Sequence, residues 1–438
     1  MICPIEFRYG REDMKRIFSK QRRFEGMLDV EVALAYAHFR MGNICERDFR
    51  TMEASKSSVS MGRAEEIEQE TKHDVMAMVR AFSEACGDGG RYIHMGATSN
   101  DITDSATAMQ MRDAMRLIET DLKSLAEALA SKAEKHANTL CLARTHGQAA
   151  LPTTFGYKLT TFGFEFLRHL ERMRESHDRI CVGKLMGAVG TGAGFGKKAI
   201  EIEAIAMERL GLGCDEAPTQ VVGRDRYVEL ISILSNIATS LEKLATEIRN
   251  LQRSELGEVF EPFDTENQVG SSTMAHKRNP IISENVCGLC RIVRGFLIPM
   301  HESAILWHER DLTNSSAERF ILPHTFILLD DSIIKMTGVI EKMCVDEKKM
   351  KRNLEAAGRE IMAESLMLAL THKGMSRQDA HEILRKAAME DFEKVFTYER
   401  ITDLMSREEI DEALDYRGYT GVAVEKTMRF VMGVENGA

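Results

Sequence analysis

Prolines are placed in this chain so that they leave room for long helices and little else. Seven occur, at positions 4, 152, 218, 262, 280, 299 and 323. None interrupts the chain between Pro4 and Pro152, and none follows Pro323. A proline inside a helix removes a backbone hydrogen bond and clashes with the preceding turn, so uninterrupted helices belong in the gaps. Apolar residues there keep helical spacing. Tyr227, Leu230, Leu234, Ile237, Leu241, Leu244, Ile248 and Leu251 advance in alternating steps of three and four, a seam for packing helix on helix. A second stripe runs through Phe155, Leu159, Phe162, Phe166, Leu170, Met173, His177 and Ile180. A third starts after Pro280 with Ile282, Val286, Leu289, Val293 and Phe296, and is expected to kink at Pro299. A fourth starts near Pro323 and includes Phe326, Leu329, Ile333 and Ile340. No sustained period-two alternation appears, and helix formers dominate.

The expected fold is all-α. A central bundle of long helices spans residues 96–342, flanked by a smaller helical domain at 1–95 and another at 343–438. Several helices this long predict seams that also pack against other subunits, hence a homo-oligomer. A chain of 438 residues can bury a large core without disulfides or metals. Its 68 Asp+Glu outnumber 58 Lys+Arg, giving a net charge of −10, which argues against a nucleic-acid or membrane-surface partner. No stretch approaches the ~18 consecutive apolar residues of a membrane span, and the N-terminus lacks a secretory pattern. The nine cysteines are scattered. Cys287 and Cys290 form the single C-x-x-C, on an apolar helical pattern that favours buried thiols over a metal site. A reducing, cytoplasmic compartment follows. The run from Gly187 to Gly196 fits neither a dinucleotide fingerprint nor a P-loop and reads as a flexible turn between two long helices.

Five polar segments interrupt the helical pattern, and loops placed by rigid scaffolds commonly carry sites. Lys72, His73 and Asp74 sit together in a helical run, where a solvated surface pair is the plainer reading. The segment from His94 to Asp104 gathers Thr98, Ser99, Asn100, Asp101, Thr103 and Asp104 before an apolar helix. A helix cap accounts for one or two of them, and a carboxylate or phosphate cradle accounts for the set. Arg144, Thr145 and His146 precede Gly147 in what reads as a polar loop, where a histidine can act as a general acid. From Gly270 to Pro280, a Gly-Ser-Ser turn meets His276, Lys277 and Arg278 just before a helix start. That concentration of cations suits an anion that forms during reaction. Finally, Arg310, Ser315, Ser316 and Arg319 follow Trp307 and make either an oxyanion or phosphate clamp or a charged turn.

Taken together, these segments resemble the three signature regions of the fumarase/aspartase superfamily, in that family's order. Within it the chain is most similar to the adenylosuccinate lyases, through His276-Lys277-Arg278-Asn279-Pro280, Lys72-His73-Asp74, Tyr92 with His94, Thr219-Gln220 with Arg224 and Arg226, and Trp307 through Arg319. Ala275 stands where that loop usually has proline. The resemblance implies a homotetramer whose active sites are completed by three subunits. No cofactor or metal is implied. The partners implied are a small nucleotide substrate and further copies of the chain.

It also implies the site. Ser271, favoured over Ser272 by analogy alone, is the base, and Lys277 stabilises the anion. His146 protonates the departing nitrogen with Glu284 orienting it, and His73 assists. Thr98, Ser99, Gln220 and Asn279 hold the succinyl carboxylates. Arg8, Tyr9, Arg310, Ser315 and Arg319 hold phosphate and ribose. Lys72, Asp74 and His94 complete the substrate-binding set. The implied reaction eliminates fumarate from adenylosuccinate and from the succinylated carboxamide ribotide of purine synthesis. The alternatives are another lyase of the superfamily, a carboxymuconate-type cycloisomerase, or a non-catalytic helical scaffold.

Overall fold

The computed structural model describes residues 2–264, 273, 274 and 276–437. Long helices fill the proline gaps. The elements used below are α1 (Lys20–Arg40), α2 (Asp74–Cys86), α3 (Ser99–Lys135), β1 (Leu140–Thr145), β2 (Gln148–Thr154), α4 (Phe155–Ile180), α5 (Ala199–Leu210), α6 (Asp225–Leu251), α7 (Ile281–Gly295) and α8 (Thr313–Lys342). At 37 residues, α3 extends for about 55 Å at 1.5 Å per residue. No helix among the described residues is long and apolar enough to cross a membrane.

The α6 seam is buried along its whole length, from Tyr227 at 1 % exposure to Leu251 at 3 %. On α4 every apolar stripe residue from Phe155 to Ile180 is buried, and only His177 reaches solvent. Arg179 Nε donates to Glu229 Oε1 at 3.0 Å, His169 Nε2 meets Ser240 Oγ at 2.9 Å, and Lys158 Nζ donates to Glu247 Oε1 at 2.7 Å. Descending numbers on α4 match ascending numbers on α6, so the two helices run antiparallel. Cys287 and Cys290 are buried on α7, as their apolar spacing predicts.

By packing, the chain forms two compact units. One comprises residues 1–122, 168–241 and 287–334, and the other 123–167, 242–286 and 335–438. The second has its own core around Leu366, Leu370, Leu384, Val395 and Ile401.

Four sequence expectations change. The segment around His146 is a hairpin, β1 pairing antiparallel with β2. Strands of six and seven residues leave no sustained alternation in the sequence. Helix α8 begins at Thr313 and runs through Pro323, ten residues before the expected start. A proline forfeits only one backbone bond, and buried Ile321, Leu322 and Phe326 on either side hold the helix together. The third helix ends at Gly295 and another begins at Leu297, so the break precedes Pro299. Pro299 falls in the first turn of the new helix, where a missing N–H matters least.

The Gly187–Gly196 run is also not a flexible turn between two long helices. The helix after it, α5, has 12 residues. A Cβ on Gly190 (φ +77°) would lie 1.9 Å from the Pro218 carbonyl oxygen, and one on Gly192 (φ +67°) 2.6 Å from Ala199 Cβ. These glycines permit close approach of backbone.

Beside this turn, Glu203 on α5 is buried and accepts the Leu185 N–H at 2.8 Å. Burial pushes its carboxyl up to about 7, against the opposing effects of that hydrogen bond and of Lys184. The folded chain thus holds this proton more tightly than the unfolded chain, whose glutamates titrate near about 4.3. The resulting stability is complete below that range and is lost as pH rises through about 7. In Glu203→Gln the amide oxygen still accepts from Leu185. Its thermal midpoint should gain on that of the native chain between about pH 5.5 and pH 8.5. A gap between the two proteins that does not change with pH would refute the assignment.

Candidate active site

Among the described residues four non-glycine positions have left-handed backbone: Lys72 (φ 54°), His94 (φ 63°), His146 (φ 55°) and His308 (φ 51°). Each lies in one of the polar segments picked out from sequence. Such conformations persist where surrounding structure enforces them, and they concentrate at functional sites.

In the first unit, Lys72 ends one helix in the left-handed region and His73 caps the next. His73 Nδ1 accepts the Met76 N–H at 3.4 Å. A neutral ring then carries its proton on Nε2, which faces Ser99 Oγ at 3.5 Å. Lys72 and His73 are exposed and Asp74 is half-buried. His94 is fixed by buried Glu31, whose carboxylate takes Nδ1 at 2.7 Å and the His94 backbone N–H at 3.0 Å. Burial disfavours the imidazolium, but Glu31 outweighs it and the His94 pKa is raised.

Thr98 and Ser99 open α3. Their position is set by Asp101, which is fully buried. It accepts from Thr98 N at 2.8 Å, Met186 N at 3.1 Å and Gly187 N at 3.1 Å, and it pairs with the equally buried Lys184. Lys184 Nζ also donates to the Gly187 carbonyl at 3.2 Å. The glycine turn and the start of α3 are therefore bound into one piece.

Gln220 lies at the far side of that turn. Its Nε2 donates to the Ala188 carbonyl at 3.1 Å, and its Oε1 accepts from Arg310 Nη1 at 3.0 Å. With the Asn100 amide turned to satisfy both its ends, its oxygen accepts from Arg310 Nη1 at 3.1 Å and Nε at 3.2 Å. Ser315 and Arg319, in the first turns of α8, share with Arg310, Asn100 and Thr103 a polar cleft of about 150 Å³.

Arg224 lines the same cleft but is already occupied. Its guanidinium donates to Asp104 at 2.7 and 3.0 Å and to Glu318 at 2.7 and 3.2 Å. Burial works against its charge, yet the two carboxylates raise its pKa well above the ordinary value. Arg8 and Tyr9 do not line the cleft. They precede Gly10, where a Cβ would meet Ile327 Cγ2 at 2.3 Å. Arg11 then anchors the chain to Asp121 at 2.9 Å and Asp330 at 2.8 Å.

In the second unit, His146 and Gly147 are the two central residues of the β1–β2 turn. Both have positive φ, as a tight hairpin of this twist requires. His146 is exposed at the tip. Arg144 holds the hairpin through buried Glu258, with Nη2–Oε1 at 2.6 Å and Nη1–Oε2 at 3.1 Å, and Asn353 Nδ2 adds a third bond to that carboxylate at 2.7 Å.

Ser271, the expected base, lies outside the described residues. Both sides of its segment are tethered. Buried Glu261 caps α7 by accepting from Ile282 N at 3.0 Å and Ser283 N at 2.6 Å. Gln252 accepts from Glu261 N at 2.9 Å and donates to the Arg278 carbonyl at 3.2 Å. Asn279 borders a cleft of about 320 Å³ with Gln252, Phe263 and Lys342. Lys277 and Glu284 are exposed, Glu284 in the first turn of α7.

The structure therefore gathers His73 with Ser99, and Gln220 with Arg310, Ser315 and Arg319, inside the first unit. His146, Lys277, Asn279 and Glu284 belong to the second. Sequence reasoning missed Lys184, Glu258 and Glu261, and took Asp101 only as one polar residue of the His94–Asp104 segment. Each is an ordinary charged residue whose importance comes from burial, for which no local signal exists.

The chain matches the lyase family over residues 6–295 and the adenylosuccinate lyase C-terminus over residues 360–430. It is 49 % identical to the adenylosuccinate lyase of Pyrococcus abyssi, covering 90 % of this chain and 88 % of that one. With the adenylosuccinate lyase of Pyrococcus horikoshii it shares 46 % identity over 99 % and 98 %. Among solved structures it superposes on a fumarate lyase from Mesorhizobium sp. BNC1 with a TM-score of 0.88 at 30 % identity, covering 97 % and 98 %. On the 3-carboxy-cis,cis-muconate lactonizing enzyme of Pseudomonas putida the TM-score is 0.86 at 32 % identity, covering 99 % of each chain. Its all-α fold is theirs, and identity over nearly the full length, together with the C-terminal match, places the chain in the adenylosuccinate lyase family of carbon–nitrogen lyases.

Proposed function

We propose that this chain eliminates fumarate from adenylosuccinate, leaving AMP, and from the succinylated aminoimidazole carboxamide ribotide of purine synthesis. The observation that carries this reading is the polar cleft of the first unit, where Arg310, Ser315 and Arg319 meet the start of α3. Guanidinium groups beside a hydroxyl suit the phosphate of a nucleotide.

In the proposed reaction Ser271, as an alkoxide, removes the proton beside a succinyl carboxylate. Lys277 and backbone N–H groups stabilise both alkoxide and the aci-carboxylate that forms. The carbon–nitrogen bond then breaks, its electron pair passing to nitrogen, which His146 protonates. Glu284 orients His146. Thr98, Ser99, Gln220 and Asn279 hold the succinyl carboxylates, and Arg8, Tyr9, Arg310, Ser315 and Arg319 hold phosphate and ribose. His73 assists near the reacting end or the phosphate, and Lys72, Asp74 and His94 complete the substrate-binding set. The three-part division at residues 95 and 342 belongs to the same reading.

The assembly proposed is a homotetramer with shared active sites. In its support, Ile298, Ile305, Trp307, Leu312 and Phe320 are 64 to 77 % exposed, more large apolar surface in one stretch than a monomer ordinarily leaves in water. The scattered cysteines favour a cytoplasmic setting.

Purified protein is expected to convert adenylosuccinate to AMP and fumarate without added metal, followed by the change in purine absorbance. Turnover of argininosuccinate or carboxymuconate lactone in its place would overturn the substrate assignment.

A further inference from the structure

Two cavities of the first unit meet at Arg23 on α1 and Arg319 on α8. One is the polar cleft described above. The other, of about 360 Å³, is walled by Phe24, Met27, Met61 and Met78, with Glu65, Glu68 and Asp74 at its rim. Both arginines line both cavities. Arg23 is part-buried. Burial, and then the like charge of Arg319, lower its pKa, while Asp74 and Asp104 pull the other way.

The other arginines near this site are paired. Arg224 is forked onto Asp104 and Glu318, Arg310 is held by Gln220, and Arg11 bridges Asp121 and Asp330. At the rim of the second cavity Glu65 is taken by Lys20. Among the described residues, neither Arg23 nor Arg319 makes a side-chain hydrogen bond or ion pair. The two guanidinium groups line the same space, Arg23 part-buried and Arg319 exposed, and their like charges repel. Asp104 and Glu318 are spent on Arg224, and Asp74 acts on Arg23 without pairing with it, outweighed by burial and by Arg319. The pair is thus left open to an anion from outside the chain.

We propose that Arg23 and Arg319 together clamp the phosphate of the nucleotide substrate, which makes Arg23 a binding residue that neither its sequence motif nor its resemblance marks. This rests on the nucleotide reading above. A phosphate monoester carries close to two negative charges at neutral pH, matching two cations. Each succinyl carboxylate carries one, for which the helix start at Thr98 and Ser99 is enough. Ser315, on the same wall as Arg319, supplies a hydroxyl to the same group.

The test is Arg23→Gln in the full-length protein, with Arg23→Lys as control. Losing a charge-assisted bond to phosphate should raise KM for adenylosuccinate about tenfold or more, with kcat little changed. Inhibition constants for AMP and for inorganic phosphate should rise in parallel, and that for fumarate should stay put. Arg23→Lys should recover part of the loss, because charge is kept while the fork is lost. Unchanged AMP and phosphate constants in Arg23→Gln would overturn the clamp. So would an equal loss for fumarate. If the protein turned over no adenylosuccinate at all, the functional reading would fail by itself. Calorimetric titration with inorganic phosphate, native against Arg23→Gln, would still decide the clamp.

Discussion

Replacing His146 by asparagine is expected to lower kcat by about 10² to 10⁴, the ordinary contribution of a general acid, and to leave thermal stability almost unchanged. The choice of asparagine follows from the backbone. At φ 55° an alanine would be strained, whereas asparagine tolerates the left-handed region well. His146 is exposed at the hairpin tip, so nothing buried is disturbed. Arg144 and Glu258 hold the strands beneath it in either case. Loss of kcat should exceed any rise in KM, because the proton is needed only as the carbon–nitrogen bond breaks. A substrate analogue with a better leaving group should be less affected. Near-native kcat in a folded His146→Asn protein would remove the residue from its role and return the choice of acid to His73 or His94.

Replacing Lys184 by methionine should destabilise the first unit by about 3–5 kcal/mol, the usual cost of stranding one member of a buried ion pair. Lys184 and Asp101 are both fully buried. Methionine fills most of the volume but leaves Asp101 charged, with only backbone N–H groups from Thr98, Met186 and Gly187. Adding Asp101→Asn removes the stranded charge, so the double variant should recover part of the loss. The measurement is a double-mutant cycle by urea unfolding. A single-variant cost below about 1 kcal/mol, as for an exposed pair, would sink the argument. So would a double variant no better than the single. Because Asp101 also fixes Thr98, the folded fraction of Lys184→Met should show a raised KM for the succinyl substrate.

The α6 seam and the α4 stripe are legible from residue order alone, because burial on a helix repeats with the helix. Position along α8 was less legible. Pro323 suggested a start, but tertiary packing kept the helix going. The hairpin carrying His146 reads as a loop in the sequence, since short strands leave no periodic trace. In the site, the polar segments around His73, Ser99, His146 and Arg310 stood out because they break an otherwise apolar rhythm. Lys184, Glu258, Glu261 and Arg23 did not, since nothing about their neighbours in sequence says that they are buried or unpaired.

By itself, then, the sequence determined the all-helical class, the long seams and the segments where chemistry could be placed. Those follow from local periodicity and from the backbone limits of proline and glycine. Only the tertiary structure decided which charges neutralise one another. It pairs Arg224 with Asp104 and Glu318, Lys184 with Asp101 and Arg144 with Glu258, and it leaves Arg23 and Arg319 facing a common space. The physical reason is that a charge acquires its role from burial and from distant partners, as Arg224 does from Asp104, 120 positions away along the chain, and neither is written in its neighbours.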